Sequence, residues 1–267
     1  MKLAIVGAGN MAKAIIKALL DGEVTIAANI TVSDINEEAL AELSATFNVN
    51  TVANNLAVIS SADTVILAIK PQNLDDISPE ISDMFTPEQL VISILAGTPI
   101  NRLANKLKHD KIIRAMPNTP AQIGQGMTVW TASNLVSPEQ KQQAEEILSS
   151  MGHTLFVNDE KYLDMATAIS GSGPAYFFLF MEYLVNSAIK LGFDTEAARD
   201  LVLQTALGSI QYALSSKISL AELRRQVTSP GGTTAEAIAS FNNNNIEEII
   251  NEAVIAAYQK AIGMSTN

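Results

Sequence analysis

A chain of 267 residues, 48% hydrophobic and 17% charged, carries enough apolar content for one or two packed domains and lacks the composition of a disordered protein. Its net charge of −11 argues against a nucleic-acid or anionic-membrane partner, and the absence of cysteine excludes disulfides, a thiol nucleophile and a Cys-ligated metal. No apolar run is long enough to span a bilayer, and a strand signal from residue 2 leaves no room for a signal peptide; the expectation is a soluble cytoplasmic protein.

Residues 2–6 form a short run of β-formers, which Gly7-Ala8-Gly9 interrupts. From Asn10 the apolar residues Met11, Ala14, Ile15, Ala18 and Leu19 recur at helical spacing. The pattern reads strand, tight turn, helix. Gly7 permits the turn, Gly9 lets a backbone approach a pyrophosphate, and Ala12 stands in the small third position of G-x-G-x-x-G/A. The free N–H groups and positive dipole end of the helix suit an anion. A bare βα turn has the same letters. Its place after a strand and at the head of a helix favours dinucleotide binding.

Residues 29–34 read as a second strand ending in Asp34, 25 residues after Gly9. There an acidic side chain accepts hydrogen bonds from the adenosine ribose in NAD binders. No arginine follows to receive a 2′-phosphate; the next residues are Ile35, Asn36, Glu37 and Glu38. NADH is therefore expected to serve at least as well as NADPH. The alternative is that Asp34 only caps a helix over 36–47. Residues 64–69 form a continuous apolar run, hence a buried parallel strand, which Lys70-Pro71-Gln72 stops. Residues 90–95 repeat the pattern and end in Ala96-Gly97. Residues 111–116 repeat it again and run into Pro117-Asn118-Thr119-Pro120. This alternation predicts a Rossmann-type doubly wound α/β sheet. Gly126–Ala132 and 153–157 read as further strands around a helix at 138–151.

After Asn158 strand signals vanish. Helices are predicted over 161–170, 174–191, 196–214 and 245–264, broken by Gly171-Ser172-Gly173-Pro174 and by Gly192-Phe193-Asp194-Thr195. Ser219/Glu222 and Thr233/Glu236 are spaced as capping boxes. The predicted organisation is a dinucleotide-binding domain over 1–159 and an all-α domain over 160–267. The 174–191 helix is apolar almost all round, with Tyr176, Phe177, Phe178, Leu179, Phe180, Met181, Tyr183 and Leu184. About 100 residues of helix seldom cover that much apolar surface, so a dimer through interlocking C-terminal domains is expected.

Hydride transfer to or from an alcohol carbon usually needs His or Lys to move the hydroxyl proton. The two histidines fit that role poorly: His109 lies in the charged stretch KLKHDK and His153 starts a strand, so both read as surface or structural residues. Phe177 and Met181 stand where β-hydroxyacid dehydrogenases carry Lys and Asn after a glycine pair. An alcohol substrate is thus disfavoured, whereas an iminium arrives already protonated. The stretch Ser229-Pro230-Gly231-Gly232-Thr233-Thr234 opens a helix with two glycines and a crowd of hydroxyls. It reads equally as a carboxylate-binding nest and as a plain helix cap.

Six motifs in order, GAGNMA (7–12), AIKPQ (68–72), RAMPNTP (114–120), TAISGSGPAYFF (167–178), LVLQTALGS (201–209) and VTSPGGTTAEAI (227–238), resemble the pyrroline-5-carboxylate reductases. The resemblance runs from end to end. It implies a Rossmann domain, a helical domain that makes a homodimer, often assembled further into decamers, and hydride transfer from NAD(P)H to the C=N of 1-pyrroline-5-carboxylate, giving L-proline. By position it implies cofactor contacts at Gly7, Ala8, Gly9, Asn10, Met11, Ala12, Ser33, Asp34, Asn55, Ala68, Ile69, Lys70, Pro71 and Ala96. It implies that the substrate carboxylate meets Ser229, Gly231, Gly232, Thr233 and Thr234, with Ser229 and Thr234 as the catalytic side chains and the Thr234 hydroxyl on the ring nitrogen. Family members that use NADPH commonly carry a small polar or basic group where Asp34 stands. The alternatives are a non-catalytic dinucleotide-binding regulatory protein and a reductase of a related cyclic imino acid.

Overall fold

The computed structural model describes Met1–Ser265. These residues form two compact units: Met1–Ser172 with the chain from Ala257 onward, and Gly173–Ala256.

The first unit is built on one eight-stranded sheet. In chain order its elements are β1 (Leu3–Val6), α1 (Asn10–Asp21), β2 (Ile30–Ser33), α2 (Glu37–Phe47), β3 (Asn50–Val52), α3 (Asn55–Ile59), β4 (Thr64–Leu67), α4 (Leu74–Ile81), β5 (Leu90–Ser93), α5 (Ile100–Leu107), β6 (Ile112–Met116), β7 (Gly126–Ala132), α6 (Pro138–Ser149), β8 (Gly152–Phe156) and α7 (Lys161–Ala166). The strand order is β3-β2-β1-β4-β5-β6-β7-β8, parallel throughout except at the β6–β7 pair. The chain winds outward from β1 in one direction to β3 and then returns to lay β4 on its other side. That reversal is the switch point of a doubly wound sheet, and ligands sit beyond the strand carboxyl ends there.

The strands β1, β4 and β5 are buried along their whole length because helices cover both faces. Strand alternation splits their side chains between two cores. Leu3 and Ile5 pack with Ala12, Ile15, Ile16 and Leu19 of α1. Ala4 and Val6 pack with Val58, Ile59, Leu74, Leu103 and Leu107 on the opposite face.

Several boundaries differ from the sequence reading. β3 has only three residues, none buried, and so carries no apolar signal. The helix expected over 161–170 changes at Thr167 into a π turn, Thr167–Gly171. The first compact unit runs to Ser172, and α7 within it is tied to the sheet. Arg114 on β6, 3% exposed, reaches Glu160 at 2.9 Å and Asp164 at 2.7 Å. Of the two readings of His109, surface or structural, the second holds: it is buried, its Nε2 2.9 Å from the Gln89 carbonyl and its ring 5.3 Å from that of Phe85. Burial holds its pKa below the ordinary imidazole value.

The second unit is helical: α8 (Gly173–Lys190), α9 (Thr195–Ser215), α10 (Leu220–Gln226), α11 (Thr233–Asn243) and the first part of α12 (Ile246–Ser265). Gly192, at φ +110°, ends the α8 segment, and Asp194 caps α9 by accepting the Ala197 N–H at 2.8 Å. Ser219 caps α10 on the Glu222 N–H, but the Glu222 carboxylate turns to Arg225, so only half of that predicted box forms. The box predicted at Thr233/Glu236 is absent. Thr233 is the first residue inside α11, and Gly232 is the N-cap, with no side chain on the free N–H groups.

Candidate active site

The register aligns Val6 with Ser33 on one side and with Leu67 on the other, and Leu67 with Ser93. The loops after β1, β2, β4 and β5 therefore leave the sheet on one edge, which brings Gly7, Asp34, Ala68 and Ala96 to the same side of the unit. Gly7 has φ +108°, and a Cβ there would lie 2.7 Å from the Ala68 carbonyl oxygen. Its N–H donates to the Ser33 carbonyl at 2.7 Å. The chain can turn from β1 toward α1, against the end of β4, only without a side chain at this point.

Gly9 caps α1 with extended backbone, no side chain satisfies the helix start, and no acid lies in the first turn. Among the described residues no acceptor takes the N–H groups of Gly9, Asn10, Met11 or Ala12; the first bond back is from Lys13 to Gly9. A Cβ on Gly9 would meet no protein atom within 4 Å, so the space above the helix start is open. Ala12 is fully buried between helix and sheet, as its position requires. Open approach, four uncommitted donors and a positive dipole end fit a dinucleotide pyrophosphate.

Asp34 is half-buried, and both carboxylate oxygens accept backbone N–H groups: Ala8 at 2.7 Å and Asn36 at 2.8 Å. The cap of α2 is Asn36, which accepts the Ala39 N–H, not Asp34. Ser33 is fully buried and meets the loop through its carbonyl; its hydroxyl has no partner among the described residues. Asn55 is the buried first residue of α3, whose cap is Asn54. Ala68 continues the ladder past β4 by donating to the Val6 carbonyl, and Ile69, Lys70 and Pro71 follow in the loop, with Lys70 exposed. Ala96 is half-buried after β5.

In the second unit, the Gly232 N–H donates to the Ser229 carbonyl at 3.0 Å, with Pro230 and Gly231 (φ +69°) between them. Proline then glycine at positive φ is the type II turn signature. This turn delivers the chain to α11 with the N–H groups of Thr233, Thr234 and Ala235 free of acceptors among the described residues. Ser229 and Thr233 are exposed and Thr234 half-buried. Among the described residues no cluster of three His, Asp or Glu side chains could hold a metal, and no helix is long and apolar enough to cross a membrane.

The chain is 43% identical to the pyrroline-5-carboxylate reductase of Pseudomonas aeruginosa over 261 residues, which covers 97% of this chain and 95% of that protein. The chain belongs to the pyrroline-5-carboxylate reductase family. Residues 160–264 match the family described as pyrroline-5-carboxylate reductase dimerisation, and residues 2–97 match the family described as NADP oxidoreductase, coenzyme F420-dependent. The pyrroline-5-carboxylate reductase of Coxiella burnetii superposes with a TM-score of 0.88 at 34% identity, covering 99% of this chain and 98% of that one. The pyrroline carboxylate reductase of Plasmodium falciparum, solved with NADP bound, superposes equally well at 30% identity with the same coverage.

Two motifs of the sequence, RAMPNTP and TAISGSGPAYFF, gain a local explanation. Arg114 of RAMPNTP holds α7, as described above. Asn118 clamps the π turn: its amide donates to the Ser170 carbonyl at 3.0 Å and its oxygen accepts the Met127 N–H at 2.9 Å. Gly171 lies so close to Met116 that a Cβ would stand 2.7 Å from its Cε. π turns of this kind are frequent at functional sites. No spacing rule marks these contacts in the sequence, because they join residues about 50 positions apart.

Proposed function

We propose that this chain reduces the C=N bond of 1-pyrroline-5-carboxylate to L-proline with NAD(P)H. The observation that carries this reading is the 43% identity over 97% of the chain. Bound NAD(P)H supplies the hydride. The N–H groups at the start of α1 receive the pyrophosphate, and Asp34, Asn55, Ala68, Ile69, Lys70, Pro71 and Ala96 line the rest of the cofactor path. The N–H groups of Thr233 and Thr234 receive the substrate carboxylate, Gly231 and Gly232 allow its close approach, and the Ser229 hydroxyl adds a hydrogen bond. The ring nitrogen enters protonated and donates to the Thr234 hydroxyl. As hydride adds to the ring carbon, the π pair moves onto nitrogen and leaves a neutral amine, so no His or Lys need deliver a proton. The test is oxidation of NADH or NADPH with 1-pyrroline-5-carboxylate. Consumption of neither cofactor would replace this reading with a regulatory dinucleotide-binding role. A six-membered cyclic imine run alongside decides ring size, since one methylene is worth only about 1–3 kcal/mol.

Replacing Thr234 with Ala is expected to lower kcat/KM about tenfold to a hundredfold, the value of one hydrogen bond to a charged partner. Folding is expected to survive, because Gly232 and not a hydroxyl caps the helix. Unchanged catalysis in the folded variant would remove Thr234 from the substrate site.

NADH is expected to serve at least as well as NADPH. Asp34 stands at the end of β2 and no Arg or Lys occupies positions 35–38. Two like charges about 4 Å apart cost about 1 kcal/mol in water and several times that where water is excluded. The ratio of kcat/KM for the two cofactors, in wild type and in Asp34→Ser, checks this. A wild type that prefers NADPH tenfold, with a ratio the substitution leaves unmoved, would mean that Asp34 does not face the ribose.

The active form is a homodimer. In the single chain Phe177 and Phe178 of α8 are 64% and 60% exposed, and Leu214 of α9 is 81% exposed. Open apolar surface on that scale marks an interface. Light scattering at micromolar concentration is expected to give at least twice the chain mass; a stable monomer would refute the dimer. Assembly into a decamer is a further expectation that the same measurement decides.

A further inference from the structure

The two oxygens of Asp34 do different things. Oδ1 accepts the Asn36 N–H two residues away, a local Asx turn. Oδ2 accepts the Ala8 N–H, 26 residues away, at the centre of the glycine-rich loop. Ala8 is itself buried, and its neighbour Gly7 gives its own N–H to the Ser33 carbonyl. Two consecutive loop N–H groups are thus committed to two consecutive residues at the end of β2. The N–H groups that follow, from Gly9 to Ala12, are the ones left open. The direction in which those donors point is therefore set partly by the Asp34 carboxylate.

We propose that Asp34 is a positioning residue for the phosphate-binding loop. It holds Ala8 so that the donors at the start of α1 face an incoming phosphate, whatever it does at the ribose. The inference rests on the cofactor reading above. It separates from a ribose contact through a probe that has no adenosine ribose. Reduced nicotinamide mononucleotide carries one phosphate and the nicotinamide end only, and its binding is followed by its own fluorescence.

Asp34→Ser shortens the side chain and loses the Ala8 contact. It is expected to weaken mononucleotide binding about three- to tenfold, the scale of one hydrogen bond, together with the binding of NADH. Asp34→Asn keeps the reach but only one acceptor for the two N–H groups of Ala8 and Asn36, and is expected to bind the mononucleotide more weakly than wild type and no more weakly than Asp34→Ser. In the ligand-free protein the Ala8 amide is expected to exchange with solvent faster in Asp34→Ser than in wild type. An unchanged mononucleotide Kd in folded Asp34→Ser, with only NADH binding altered, would overturn the proposal and leave Asp34 as a ribose contact alone. Failure of the wild type to bind NADH and NADPH would instead overturn the cofactor reading, and the proposal with it.

Discussion

Gly7→Ala is expected to destabilise the protein by roughly 2–5 kcal/mol and to abolish measurable cofactor binding. The residue sits at φ +108°, where an L side chain is strained by about 1–3 kcal/mol. The added methyl would also stand 2.7 Å from the Ala68 oxygen and 2.8 Å from its carbonyl carbon. Those are backbone atoms, and Ala68 is bonded to Val6 in the ladder, so they yield only by moving β4. Any outward shift of the loop pulls on the Gly7–Ser33 and Ala8–Asp34 bonds together. Gly9→Ala provides the contrast. Its backbone is at φ −76°, and a Cβ there meets no protein atom within 4 Å. Its stability is expected to match wild type, while the methyl intrudes on the space above the α1 donors and weakens cofactor binding. Urea unfolding and NADH titration of both variants check the pair. Wild-type stability in Gly7→Ala would refute the packing argument, and wild-type affinity in Gly9→Ala would move the phosphate elsewhere.

Arg114→Met is expected to cost about 2–4 kcal/mol of stability. Removing one partner of a buried ion pair costs about 3–5 kcal/mol, chiefly because the other charge is left stranded. The lower figure here reflects exposure: the Glu160 side chain is 32% exposed and takes up water, whereas Asp164 is 15% exposed and takes up less. The loss spreads, because each carboxylate holds a second group. Glu160 also accepts the Ile100 N–H at the start of α5, and Asp164 accepts the Ser265 hydroxyl at the end of α12. Arg114→Lys is expected to fall between, since a point charge cannot fork to two carboxylates. Adding Asp164→Asn to Arg114→Met is expected to recover part of the loss by removing the worse-solvated charge. Chemical denaturation of the single and double variants measures these differences. A loss below 1 kcal/mol in Arg114→Met would mean that the network does not hold α7 to the sheet.

Hydrophobic pattern and turn chemistry are local, and what depends on them was legible in the sequence. The run 64–69 reads as a buried strand because it is apolar from Val65 on, and β4 occupies Thr64–Leu67 of it; β7 occupies the residues predicted for it. The same locality exposed Gly7, since only a glycine-rich break between strand and helix makes that turn. It placed Asp34 at a strand end and the Ser229–Thr234 stretch at a helix start. It could not say what Asp34 holds. Ala8 is 26 residues away, and the contact exists only because β1 and β2 lie side by side in register. Arg114 lies in a run read as a buried strand, but nothing near it names its partners, which lie 46 and 50 residues on and become neighbours only when α7 packs on β6. Thr233 matches a capping box by spacing, yet the turn through Gly231 at positive φ makes Gly232 the cap instead. His109 reads as a surface or structural residue among lysines, and packing against Phe85 and Gln89 makes it the second. The Gly232 cap is settled by a local turn, but for Asp34, Arg114 and His109 the deciding energy is a contact between segments, which no window along the chain contains.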